Sequence, residues 1–320
     1  RLRRHPLLAA LGEGQRPTRS TLRLTYWDTP DLDLAAAGLA LRLRRVGRQV
    51  VQTVETPDGV GLAGAVRHEH DALLAGDQPD VAVVPDLAAR ARLAEIAATA
   101  PLAPVFEVEL DRTRRVLHED GDTLRFDLEV GEVRSAWGVL PISDVEIASR
   151  GGDPSRPHRL ALELLDDVAL RPMTRSVAAR AVERITGSGP ATHKARPIAV
   201  APDAVLETLL AAVAEACLAQ IVENEPAASL GVDPEGVHQM RVGARRLRSA
   251  LGFFAPVLPE PARAALRDEL RWLAGELGPA RDADVLATEL LDPLLVERPD
   301  DAALARLRDA AEELRGEAHA

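Results

Sequence analysis

The hydrophobic period of this 320-residue chain changes once, near residue 185, and that change limits its possible folds more than any other feature. Before it, apolar and polar residues alternate in short segments such as "STLRLTYWDTPD", "LALRLRRV", "RQVVQTVETPDG", "VFEVELDRTRR", "TLRFDLEVGEV" and "ISDVEIA". Alternation with period two between turn residues predicts antiparallel strands. Two helices interrupt or close the series, one over 86–99 from "PDLAARARLAEIAATA" and one over 174–186 from "TRSVAARAVERIT". Gly, Ser and Pro then gather in "GSGPATHKARPIAVAPD", and beyond it the pattern is helical to residue 320, with prolines marking the breaks. The expected fold class is α+β followed by all-α: an antiparallel sheet domain over 1–186, a linker over 187–202 and a helical domain over 203–320.

Within the helical half, "VHQMRVGARRLRSAL" (Val237–Leu251) gathers one histidine and four arginines with no acid between them. At about 100° per residue, His238, Arg241, Arg245 and Arg248 fall within an arc of roughly 80°. Val237, Met240, Ala244, Leu247 and Leu251 take a separate arc of the same helix. Asp233 followed by Pro234 marks the start, since Asp offers a capping oxygen and Pro a preset first turn. A solvated surface helix would mix Arg with Glu at i,i+4 spacing to limit repulsion, and this stripe does not. Guanidinium groups donate in pairs to phosphate oxygens, so the stripe is read as a polyanion-binding face.

Composition narrows the partner. The net charge is -11, which argues against a general nucleic-acid coat protein with a broadly basic surface. Residues 229–290 hold 8 Arg against 9 Asp plus Glu, so a local positive field has to come from arrangement. Lys194 is the only lysine, which with abundant Ala reflects coding bias. The single Cys217 excludes an internal disulfide framework and fits a reducing cytoplasm. Arg1 to Arg4 precede an apolar run too short for a signal peptide, and no run reaches membrane-spanning length, so no membrane partner is expected.

The string from Val237 to Leu251 resembles the signature helix of the CHAD family, the conserved-histidine α-helical domain, with its His-x-x-Arg-Val-x-x-Arg-Arg-x-Arg pattern. A second element of the family, Leu-Gly-x-x-Arg-Asp-x-Asp-Val, resembles Leu277, Gly278, Arg281, Asp282, Asp284 and Val285. The resemblance implies a helical bundle binding inorganic polyphosphate on a basic surface, through His238, Arg241, Arg245, Arg246, Arg248 and Arg281. It also implies association with polyphosphate granules, and no cofactor for that binding. Residues 203–320 cover about the first half of such a domain.

On the strands, charges recur at every second residue: Arg42 with Arg44, Arg67 with Glu69 and Asp71, Asp144 with Glu146. An ordinary sheet with one side in water would do this, and so would a closed barrel with a charged interior. "YWDTPDLDLAAAGLALRLRR" (Tyr26–Arg45) is similar to the corresponding stretch of CYTH domains, the triphosphate tunnel metalloenzymes, and CYTH followed by CHAD is itself a familiar pairing. That resemblance implies an eight-stranded antiparallel tunnel hydrolysing a triphosphate moiety with Mg or Mn. Its phosphate-binding positions correspond to Arg42, Arg44, Arg67, Arg112, Arg114 and Arg180, and its metal ligands to Glu69, Asp144 and Glu146.

The departures are as specific as the matches. The family's opening Glu-x-Glu-x-Lys strand is missing, and the chain begins at "RLRRHPLLAAL" after its place. Two family lysines correspond to Glu55 and Val177, which coding bias toward arginine does not explain. The closing acidic strand reads Asp144, Glu146, Ala148, and a family Glu and Asp are replaced by Arg125 and Glu129. The expected function is therefore polyphosphate binding beside a degenerate tunnel with weak or absent hydrolysis. The alternative is a metal-dependent triphosphatase. Among smaller groups, His68 and His70 lack a third metal ligand, Trp272 with Leu273 and Leu277 is read as core, and Gly187 and Gly189 lack phosphate-loop spacing.

Overall fold

The computed structural model describes the chain apart from residues 13–14, 62–63, 120, 150, 152, 232 and 320, and apart from the side chains of 57–61, 64–67 and 119. It divides into two compact units, Arg1–Gly187 and Ser188–Ala320.

The first unit is one antiparallel sheet. Its strands are β1 (Thr18–Asp28), β2 (Ala40–Val46), β3 (Gln49–Gly61), β4 (Gly64–Leu74), β5 (Ala103–Glu119), β6 (Asp122–Ser135) and β7 (Gly138–Ser149). The spatial order is β4-β3-β2-β1-β5-β6-β7. Among the described residues there are thus seven strands where eight were implied, and the sheet is not closed: there β4 pairs only with β3, and β7 only with β6. Its helices are α1 (Pro6–Leu11), α2 (Asp33–Ala36), α3 (Leu87–Thr99), α4 (Arg156–Leu165) and α5 (Val177–Thr186).

Alternation sorts the side chains onto two faces. One face carries Trp27, Leu41, Leu43, Val50 and Val54 toward α2 and α3, where Leu34, Leu93 and Ile96 complete a core. Further along the same face, Leu117, Leu124, Phe126 and Leu128 meet Leu8 of α1 and Leu160 and Leu164 of α4. On the other face Leu24, Tyr26, Phe106, Val108 and Ile142 pack under Ala178 and Ala181 of α5. That face is charged on both flanks of the apolar patch. Capping fixes the helix starts: Asp86 accepts from the Ala89 amide at 2.8 Å and Ser176 from the Ala179 amide at 3.0 Å.

The second unit consists of α6 (Leu206–Leu230), α7 (Pro234–Phe253), α8 (Glu260–Asp284), a π-helical turn over Val285–Leu291, α9 (Asp292–Glu297) and α10 (Ala302–Ala318). Its core joins Cys217 and Ile221 to Val237, Met240, Ala244, Leu247 and Leu251, with Leu270 and Ala280 from α8. Burial pushes the Cys217 thiol up. Close approach of α6 and α7 depends on Gly236, where an added Cβ would stand 2.7 Å from the Ala228 amide nitrogen. Among the described residues no helix is long and apolar enough to cross a membrane.

Three features differ from the sequence reading. Pro226 and Pro279 lie inside α6 and α8 and do not mark breaks. Trp272 is 61% exposed, because the inward stripe of α8 runs through Leu270, Leu273 and Leu277 and position 272 lies about 100° away from 273. The stretch expected as a linker has no regular secondary structure at residues 188–200, yet it belongs to the second unit and is tied to α6. Asn224 accepts from the His193 amide and donates to the His193 carbonyl, each at 2.8 Å, and Arg196 pairs with the buried Glu223 at 2.7 Å.

Candidate functional site

The arginines of α7 divide into anchored and free. Asp233 caps the helix by accepting from the Glu235 amide at 2.8 Å, so the register of every side chain along it is fixed from that end. Arg241 donates from Nη1 to the Ala274 carbonyl at 2.8 Å and lies along α8 beside Gly278. Arg246 donates to Oε1 of the buried Gln220 at 2.6 Å. Gln220 in turn donates to Gln239 at 2.7 Å, and Gln239 to Glu235 at 2.6 Å. These two arginines act as struts that hold α7 against α8 and α6.

Arg245 and Arg248 are exposed, and among the described residues no carboxylate pairs with either. His238, on the same stripe, is half-buried and has no hydrogen-bond partner among them. Arg281 is engaged elsewhere, donating to Glu289 at 2.5 Å. Of the six positions proposed for polyphosphate, the structure thus brings His238, Arg241, Arg245 and Arg248 together on one helix face. Arg246 is turned toward α6, and Arg281 lies on α8.

The charged face of the sheet is arranged differently. Arg42 on β2 pairs with Glu55 at 3.0 Å and Glu69 at 2.8 Å. Its guanidinium also hydrogen-bonds the phenol of Tyr26, whose ring stacks on Phe106 with centroids 4.6 Å apart. Burial works against the charge of Arg42, but Tyr26, Glu55 and Glu69 outweigh it and raise its pKa. Tyr26 is pushed up to about 12, first by burial and then by the charge of Glu55. Glu55, which replaces a family lysine, serves here as the counter-charge of Arg42.

A second cluster spans β5, β6 and β7. Arg112 meets Glu129 at 2.5 Å, and Arg114 grips the fully buried Asp127 through two bonds of 2.7 Å. The hydrogen bond to Asp127 raises the pKa of Arg114. Arg125 approaches Asp127 at 3.3 Å and pairs with Glu146, and Arg180 reaches from α5 to Asp144. Strand register sets Asp127 directly opposite Glu146, and Glu129 opposite Asp144. Two unit charges about 5 Å apart repel by about 3 kcal/mol at an effective dielectric of 20, so four carboxylates in this pattern require counter-ions. The arginines supply them.

Arg44 has no ion-pair partner among the described residues. Arg67 pairs through its backbone with Pro57, and its side chain lies outside the described residues. The three positions proposed as metal ligands do not converge. Glu69 sits on one edge strand and Asp144 and Glu146 on the other, each held by an arginine. A divalent cation needs about six free oxygen donors. Among the described residues no group of three or more His, Cys, Asp or Glu is placed to hold one, and His70 instead bonds Thr56 at 3.2 Å. The residues as arranged do not fit a metal.

Asp127 is a functional-face residue that the sequence reading does not name, and Glu55, read there only as a departure from a family lysine, proves to be the partner of Arg42. Alternation in "LRFDLEV" carries the signal for Asp127, because Arg125, Asp127 and Glu129 share a face at period two. No local pattern pairs Glu55 with Arg42, since that contact depends on the register of β2 against β3 and on the reach of the arginine across it.

Comparison with known proteins places this geometry. The CYTH domain model matches residues 5–181 and the CHAD domain model residues 212–320. Two uncharacterized proteins from strains of Mycobacterium tuberculosis are 27% identical over 93% of this chain. The chain spans 58% of the length of these relatives. Among solved structures, the CHAD domain from the plant Ricinus communis is 39% identical, with a TM-score of 0.35, covering 41% of this chain and 43% of that one. A Hippeastrum protein named as an adenylyl cyclase, with a dominant triphosphatase activity, is 16% identical, with a TM-score of 0.38, covering 57% of this chain and 89% of that one. The chain belongs to the CYTH family, and its CYTH domain is followed by a CHAD domain.

Proposed function

We propose that the chain binds inorganic polyphosphate along α7, with Arg245 and Arg248 as the contacting cations and His238 and Arg241 completing the stripe. Membership of the CYTH family, with a CHAD domain following, supports a role in the chemistry of phosphate compounds. The observation that carries the reading is the contrast between the two arginine sets. In the first unit, Arg42, Arg112, Arg114, Arg125 and Arg180 are each engaged by a carboxylate, whereas Arg245 and Arg248 are exposed without one among the described residues. A polyanion gains most where no internal anion has to be displaced.

The test is a titration with long-chain polyphosphate at fixed salt. The variant carrying Arg245→Ala and Arg248→Ala is expected to bind about tenfold more weakly, and its binding to depend less steeply on salt, because fewer counter-ions are released. Unchanged affinity in this variant removes α7 from the reading. A second reading, hydrolysis of a triphosphate on the sheet, draws on Arg44, which is without an ion-pair partner among the described residues. Tunnel enzymes of the CYTH family are generally metal-dependent, so phosphate release from tripolyphosphate with Mg or Mn, compared with release in a chelator, decides it.

A further inference from the structure

We infer that Arg125 takes the place of a divalent cation on the sheet, so that the chain carries the counter-charge of its acidic cluster within its own sequence. This rests on the sheet alone and holds whether or not α7 binds polyphosphate.

The cluster consists of two directly opposed carboxylate pairs, Asp127 with Glu146 and Glu129 with Asp144. Three of the four have a guanidinium reaching in from another element: Arg114 for Asp127 and Arg112 for Glu129 from β5, and Arg180 for Asp144 from α5. Among the described residues Glu146 has only Arg125, which stands one step along β6 from Asp127 on the same face. Opposite Arg125 the register places Ala148, whose short side chain leaves the guanidinium free to turn sideways. There it bridges the two strands, near Asp127 at 3.3 Å and against Glu146. Its Nε, the atom 3.3 Å from Asp127, is buried and makes no hydrogen bond among the described residues. The guanidinium thus donates a hydrogen bond from Nη2 to Glu146 and meets Asp127 through charge alone, so that one positive group sits between two carboxylates as a cation would. A single positive charge bound to the backbone replaces an exchangeable one and leaves no oxygen set open for a metal.

The experiment is a titration of the full chain with Mn2+, followed by the paramagnetic resonance of the free ion. The natural chain is expected to take up no Mn2+ at this cluster. Arg125→Ala is expected to take up one ion per chain at least tenfold more tightly, and Glu146→Gln in that background to abolish the gain. Uptake by the natural chain that disappears in Glu146→Gln overturns the inference, and so does absence of uptake by a folded Arg125→Ala chain. If Arg125→Ala unfolds in metal-free buffer, Mn2+ is expected to raise its melting temperature while leaving that of the natural chain unmoved. Equal response of the two chains also overturns it.

Discussion

Asp127→Asn is expected to lower the stability of the sheet domain by about 3 kcal/mol, the largest effect of any single polar substitution on this face. The carboxylate has no exposed surface, and it accepts two bonds from Arg114 while Arg125 and Arg112 stand 3.3 and 3.9 Å away. Asparagine keeps the shape and removes the charge, leaving guanidinium groups partly desolvated with no anion between them. Breaking a buried pair from one side costs about 3–5 kcal/mol. The lower end applies because the arginine side chains remain 25–37% exposed and water screens them. For a domain of this size the midpoint of thermal unfolding should fall by roughly 10 °C. Calorimetry of the full chain measures this directly, and a shift under about 2 °C would mean that the cluster is solvated and not a buried counter-ion network.

Tyr26 gives the second large effect, and the chain is suited to reading it. It is the only tyrosine, so absorbance at the phenolate band reports that one group. Its pKa is pushed up to about 12, by burial first and by the Glu55 charge second. The folded state therefore holds the proton more tightly than the unfolded state, whose phenol titrates near 10. Stability from this group is fully present below pH 10 and is lost as pH rises from 10 to about 12, which amounts to about 3 kcal/mol over that window. Two results are expected: a phenolate midpoint near 12 in the folded chain, and alkaline unfolding that steepens above pH 10. A midpoint near 10 would place Tyr26 in water and remove the Arg42–Glu55–Glu69 cluster from the description of the site.

Much of the fold could be read from local periods, because local geometry determines them. In "LALRLRRV", alternation sets Leu41 and Leu43 against Arg42 and Arg44, and the two leucines are buried on the face opposite the arginines. The Asp233–Pro234 start and the apolar stripe of α7 are equally local. What could not be read depends on contacts distant in sequence. The stripe of arginines on α7 looks uniform in the sequence, yet Arg246 is committed to Gln220 and Arg241 to Ala274, by way of helices packed on either side. On the sheet, Arg42, Arg112 and Arg114, which the family resemblance offers to phosphate, already hold carboxylates on other strands, a consequence of register. The helix α4 escaped notice because only ten residues separate Ser155 from Asp166, too few for a helical period to stand out beside flanking Gly, Asp and Pro. Trp272 is exposed because its position on the helix, and not the size of its ring, decides which way it points.

The attachment of His193 and Arg196 to α6 bears on where the helical half can be cut free. Asn224 is fully buried and Glu223 nearly so, and each finds a partner among residues that composition alone would discard as spacer. An excised domain starting at residue 203 leaves an amide and a carboxylate stranded on α6, whereas one starting at Ser188 carries its own lining with it.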